Sequence, residues 1–150
     1  MIELSRQQIK DIADDLDMGQ KCYYHIPTGK VVTIIDIDDG AFDDDTMEEL
    51  EKEKEDIFEN RSDYFEFEKM PSHLSFSNME DFIEIVTDKR LVYKLINALN
   101  NRKPFRHFKD IIFDSCYRDN WFKFNDNCNA EWIENQIYRY NSVSKYDDKN

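Results

Sequence analysis

The sequence predicts an α+β fold: a small antiparallel sheet of about three strands in the N-terminal half, packed against several helices that fill the C-terminal half. Two observations carry this. Runs rich in β-branched and aromatic residues lie before residue 70, and consecutive stretches with helical apolar spacing follow it. Glycine and proline number only three each, which limits tight turns and argues against a strand-rich sandwich. Aromatics reach 14% of the chain, so despite 35% charged residues a packed core is expected rather than disorder.

The elements follow in order. Ser5 and Gln8 form a capping box, Ile9, Ile12, Ala13 and Leu16 repeat at helical spacing, and Gly19 is a natural stop, so a helix is predicted over residues 5–18. Next, KCYYHIPTGKVVTIIDID places two strand-like runs around Pro27, Thr28 and Gly29, a β-hairpin over residues 21–37. Its second run is apolar on both faces (Val31, Thr33, Ile35 and Ile37 on one, Val32 and Ile34 on the other), which reads as the central strand.

An acidic segment, residues 36–60, comes next. Thr46 and Glu49 suggest a capping box with Asp43, Asp44 and Asp45 at the helix start, where the dipole favours them. Met47, Leu50, Ile57 and Phe58 give this helix only a thin apolar stripe, so it is expected to be mostly exposed. Alternation at residues 64–68 predicts a third strand with Phe65 and Phe67 inward, closed by Pro71.

Four helices then follow. Ser77 and Glu80 suggest one start, Asp88 caps a helix carrying Leu91, Val92, Leu95, Ile96 and Leu99, and Pro104 fits the first turn of another with Phe105, Phe108 and Ile112 inward. Residues 117–140 read as helical, with Trp121, Phe124, Cys128 and Trp132 at three- or four-residue spacing. Ile35, Phe65, Phe82, Leu95 and Phe108 are the expected core. A chain of 150 residues predicts a single domain, residues 1–150, with a frayed tail at 142–150.

Charge supplies the functional clue. Residues 89–109, KRLVYKLINALNNRKPFRHFK, hold seven Lys/Arg and no Asp or Glu, whereas the whole chain carries −13. One basic island in an acidic protein implies that something acidic is held there, and Arg102, Lys103, Arg106 and Lys109 are the candidate anion or partner contacts. Arg102, Lys103 and Arg106 crowd the start of a helix, against its dipole, with Asp110 offsetting part of this. Residues placed against local preference point to a compensating contact, either the acidic stretch 43–59 or an external anion or acidic partner surface; the plain alternative is that they are solvated surface charges.

Other chemistry is poorly supported. The run DIDDGAFDDD resembles a calcium loop, but the sixth and twelfth places from Asp36 hold Ala41 and Met47 where Gly and Glu are required. His25, His73 and His107 lie far from one another, the Cys22/His25 spacing of three has no second pair to complete a site, and no phosphate loop, GxSxG or HExxH occurs. No cofactor, metal ligand or catalytic residue is therefore assigned. Cys22, Cys116 and Cys128 are odd in number and lack CxxC spacing, which predicts reduced thiols in the cytoplasm. The amphipathic acidic start is unlike a signal peptide, and no apolar run is long enough for a bilayer, so no membrane partner is expected. Trp121, Phe122 and Phe124 read as core rather than as a base-stacking platform.

The amphipathic N-terminal helix, the YYHIPTGKVV hairpin, the acidic middle, NMEDFIEIVTD leading into LINALNNRKPFRHFKD, and AEWI near the end together resemble bacterial uncharacterised protein family 0158. The most specific piece is residues 103–110, KPFRHFKD, similar to that family's GK-aromatic-RRFKD segment. This chain has Asn101 and Arg102 before the lysine, and His107 where a second arginine is usual. The resemblance implies a bacterial, cytosolic, single-domain protein and supplies no activity.

The reading is a non-enzymatic protein-interaction or regulatory module with an unknown protein partner or self-association. The alternative is binding of a small anionic ligand or nucleic acid at residues 89–109, though a net charge of −13 disfavours a phosphate polymer. The third is a hydrolase whose site is assembled only in three dimensions.

Overall fold

The computed structural model describes residues 1–35 and 43–147. It is an α+β fold with a three-stranded antiparallel sheet and, among the described residues, six α-helices. The chain divides into two compact units, residues 1–69 with 130–150, and residues 70–129.

The first is a sheet unit. Helix α1 (Arg6–Asp17) begins at the expected capping box, with the Ser5 hydroxyl accepting from the Gln8 amide and the Gln8 side chain accepting from the Ser5 amide. It ends where Gly19 takes a positive φ of 86°, a conformation that costs glycine nothing. Strands β1 (Lys21–His25) and β2 (Lys30–Ile34) pair from Lys21↔Ile34 to His25↔Lys30 across a turn closed by Gly29, whose φ is 73°. Strand β3 (Tyr64–Glu66) pairs with the other edge of β1, with Tyr23 opposite Glu66 and His25 opposite Tyr64.

The strand order β2-β1-β3 corrects the expectation that the Val/Ile-rich run is central. β1 is central, with Cys22, Tyr23 and Tyr24 buried in succession, while Val31, Val32 and Thr33 of edge strand β2 are half-buried. Ile35, expected in the core, lies beyond β2 and is 36% exposed, and Ile37 falls outside the described residues. Phe65 is half-buried against the core rather than within it, whereas Phe67 is buried.

Pleating separates the two faces of this sheet. Cys22 and Tyr24 pack with Ile9, Ile12 and Leu16 of α1 and with Phe67 and Ile133. Tyr23 and Ile34 on the opposite face meet Ile57 of helix α2 (Asp44–Glu59). Ile57 is the buried side chain of that helix, as the thin stripe predicts. Its cap is Asp43, which accepts from the Thr46 amide at 2.8 Å; Thr46 lies inside the helix, so the expected Thr46–Glu49 box starts three residues late. A one-turn 3-10 segment (Arg61–Asp63) joins α2 to β3.

The helical unit holds α3 (Ser72–Ile85), α4 (Lys89–Leu99) and α5 (Pro104–Phe113). Pro71, extended at ψ 149°, leads directly into α3, which therefore starts five residues before the expected Ser77. Asp88 caps α4 as predicted, accepting from the Arg90 and Leu91 amides. Phe82, Leu95, Phe108, Ile112 and Trp121 form the core, with the Trp121 ring 4.9 Å from Phe108 and 5.2 Å from Phe82, both near-perpendicular. Ile96 is exposed instead of inward. Helix α6 (Arg118–Asp147) gives Trp121 and Phe124 to this unit and Ile133 to the sheet unit. Residues 142–147, expected to fray, continue this helix; residues 148–150 lie outside the described residues.

Candidate functional site

The basic segment is presented by α4, α5 and the turn between them. α4 is fixed by a strong apolar stripe, Leu91, Leu95, Ala98 and Leu99, which leaves Lys89, Arg90 and Lys94 exposed. Its end is tied down by Asn101, whose amide group donates to the Asn97 carbonyl at 2.6 Å. α5 is fixed in the same way by Phe108 and Ile112, both fully buried. Arg106 and Lys109, three residues apart, are exposed on the side of α5 away from that stripe.

Arg102 and Lys103 occupy the turn before α5 and are exposed. Lys103 is the one described non-glycine residue with positive φ, at 53° with ψ 55°, and it ends the turn without a side-chain cap bond. Left-handed backbone costs an ordinary side chain about 1–2 kcal/mol. Pro104 follows at the first helical position, where its missing N–H removes one orphan donor. The first turn of α5 carries no acid.

Within the helical unit, none of Arg102, Lys103, Arg106 and Lys109 closes an ion pair with a described residue. Asp110, four residues beyond Arg106, does not neutralise it. The two ion pairs among the described residues, Lys52–Glu48 and Arg61–Glu66, lie in the sheet unit.

The structure adds residues that the sequence reading passed over. A shallow groove of about 390 Å³ between α4 and α5 is lined by Lys94, Asn97, Asn101 and His107, with Ala98 and Ile111 as its apolar part. Lys94, Asn97 and Asn101 recur at three- and four-residue spacing, a polar row that could have been read from the sequence. The island therefore offers two surfaces, an outer ridge of Arg102, Lys103, Arg106 and Lys109, and a groove holding Lys94 and His107.

The other chemistry-bearing residues are dispersed. Cys22 is fully buried, and burial pushes its thiol up to about 11, with the Thr33 hydroxyl opposing and the Asp15 charge reinforcing the shift. His25 Nδ1 bonds the Thr28 hydroxyl at 2.6 Å, and its ring lies 4.7 Å from that of Tyr64. Tyr64 donates to Asp56, which raises its phenol to about 12. Among the described residues no three of His, Cys, Asp or Glu converge on a metal-sized site. Of the aromatic trio, Trp121 is core and Phe124 packs against it, while Phe122 is partly exposed with the Arg118 guanidinium 5.5 Å from its ring centre.

Against this geometry the comparisons with known proteins can be placed. The model of an uncharacterised protein family, UPF0158, matches residues 1–146, so the chain belongs to that family. Neither a curated protein nor a solved structure matches it. Among the described residues, no helix is long and apolar enough to cross a membrane.

Proposed function

We propose that this member of the family is a non-enzymatic interaction module that receives an acidic surface of another protein on the outer ridge formed by α5 and the turn before it. One observation carries the reading: Arg102, Lys103, Arg106 and Lys109 are exposed and close no ion pair within their unit, on α5 and the turn before it, and α5 is anchored by fully buried Phe108 and Ile112. A cluster of exposed cations gains specificity and association rate from an acidic partner. The buried, high-pKa Cys22 and the dispersed histidines favour binding over catalysis. The three cysteines, none of them in a disulfide, suit work in the bacterial cytoplasm.

Affinity capture from the native host tests this, comparing the wild-type chain with an Arg102→Glu/Arg106→Glu double variant. Acidic proteins retained by the wild type at low salt, released as salt rises and absent from the variant are the expected outcome. Equal retention by both chains overturns the reading.

A second reading has its own observation. The groove lined by Lys94, Asn97, Asn101 and His107 offers one cation, amide donors and an imidazole, the equipment for a small anion. NMR titration with inorganic phosphate, a nucleotide and an oligonucleotide separates the readings: shifts at Lys94, Asn97, Asn101 and His107 with a small anion alone favour the groove.

A further inference from the structure

We propose that the sheet unit carries a binding pocket for a small organic anion with an aromatic body, in the angle between the end of α2 and the sheet. The cavity measures about 340 Å³, at the lower end of small-molecule sites and large enough for a ring system with one head group. Tyr23, Ile34 and Ile57, all buried, form its apolar wall. Phe58 stands beside them at 84% exposure. Single exposed apolar residues are ordinary, but this one lies against a continuous apolar wall and within a ring of cations.

The charges are segregated. α2 carries nine carboxylates and two lysines, yet its one charged side chain that lines the pocket is Lys54. The remaining charged lining comes from Lys21 of β1 and Arg61, so among the described residues every charged side chain lining the cavity is positive. Arg61 is held by Glu66 at 2.9 Å, which orients its guanidinium and takes up part of its charge. Lys21 and Lys54 close no ion pair with a described residue. They are therefore the groups left to meet a ligand's head. The acidic surroundings oppose highly charged ligands at long range, which selects a monoanion whose ring, packed between Phe58 and the Tyr23 wall, supplies most of the affinity.

NMR titration of the full chain with 1-naphthoate tests this, with acetate and 1-naphthalenemethanol as its separate halves. Saturable shifts at the amides of Lys21, Ile34, Lys54 and Phe58 are expected, with each half binding at least about tenfold more weakly than the whole. Phe58→Ala and Lys54→Gln, both at exposed positions, each weaken naphthoate by about fivefold or more and leave the other resonances in place. Absence of saturable shifts, undiminished binding by both variants, or shifts centred on residues 89–109 each overturn the proposal.

Discussion

Helices α2 and α4 carry opposite charge extremes, and they are held in different ways. α2 has sixteen residues and buries one side chain, Ile57, against a small cluster with Tyr23 and Ile34. α4 has eleven residues and buries four, Leu91, Leu95, Ala98 and Leu99, the three leucines within a core that includes Phe108 and Trp121. Both begin with an aspartate cap, so local start signals do not distinguish them. What differs is the buried stripe, which supplies most of a helix's stability in a folded protein. The cations of α4, and those of α5 that share its core, are thus displayed from a fixed platform, and the carboxylates of α2 from a lightly anchored element.

Core truncation gives the largest expected contrast. Phe108→Ala, at a fully buried position, is expected to cost about 3–5 kcal/mol, and Leu95→Ala about 2–5 kcal/mol. Ile57→Ala should fall near the low end of the same range, about 2 kcal/mol, because its small cluster can relax around the gap. Denaturant midpoints check this. A loss below about 1 kcal/mol for Leu95→Ala would mean that the platform is misplaced.

The sheet unit can be tested through pH. The Cys22 thiol is raised from 9.0 to about 11, so the folded state holds this proton more tightly than the unfolded chain does. Its contribution is fully present below pH 9 and is lost as pH rises through 11. The expected loss is up to about 2–3 kcal/mol across that window, at about 1.4 kcal/mol per pKa unit. Tyr64 titrates higher, near 12, and contributes equally in both proteins compared, so Cys22→Ala should remove part of the alkaline slope. An identical slope in the variant would place Cys22 outside the core.

A smaller effect separates stability from function on the platform itself. Lys103→Gly relieves the left-handed backbone and is expected to stabilise the chain by up to about 1 kcal/mol. The same change should weaken partner capture, because the ridge loses a cation. If Lys103→Gly is destabilising, the turn depends on the lysine side chain and the strain argument fails.

Legibility followed the locality of the signal. The α1 start was readable because Ser5 and Gln8 bond each other, and the α4 start because Asp88 bonds amides two and three residues on. Equally good local patterns misled elsewhere. Ser77 and Glu80 sit inside α3, since the chain leaving Pro71 can already turn helical, and Asp43 preempts Thr46. The central strand was misassigned for a different reason. Which strand has two neighbours depends on β3 pairing from more than thirty-five residues away, and no local pattern encodes that choice. The cationic ridge was visible in composition, whereas the groove with Lys94 and His107 required the packing of α4 on α5.

The central claim is that the ridge cations are kept for something outside the fold, and the salt dependence of Arg106→Glu stability tests it most directly. Arg106 is exposed and unpaired within its unit and sits in the first turn of α5, against its dipole, so the variant should be no less stable than the wild type, with any difference a gain of up to about 1 kcal/mol. Such a gain should appear at about 0.01 M salt, where charges are felt over about 30 Å, and vanish at about 1 M, where the range is about 3 Å. A clear loss of stability at low salt that fades at high salt would contradict the account, because it would show the chain's own acids already occupying the ridge.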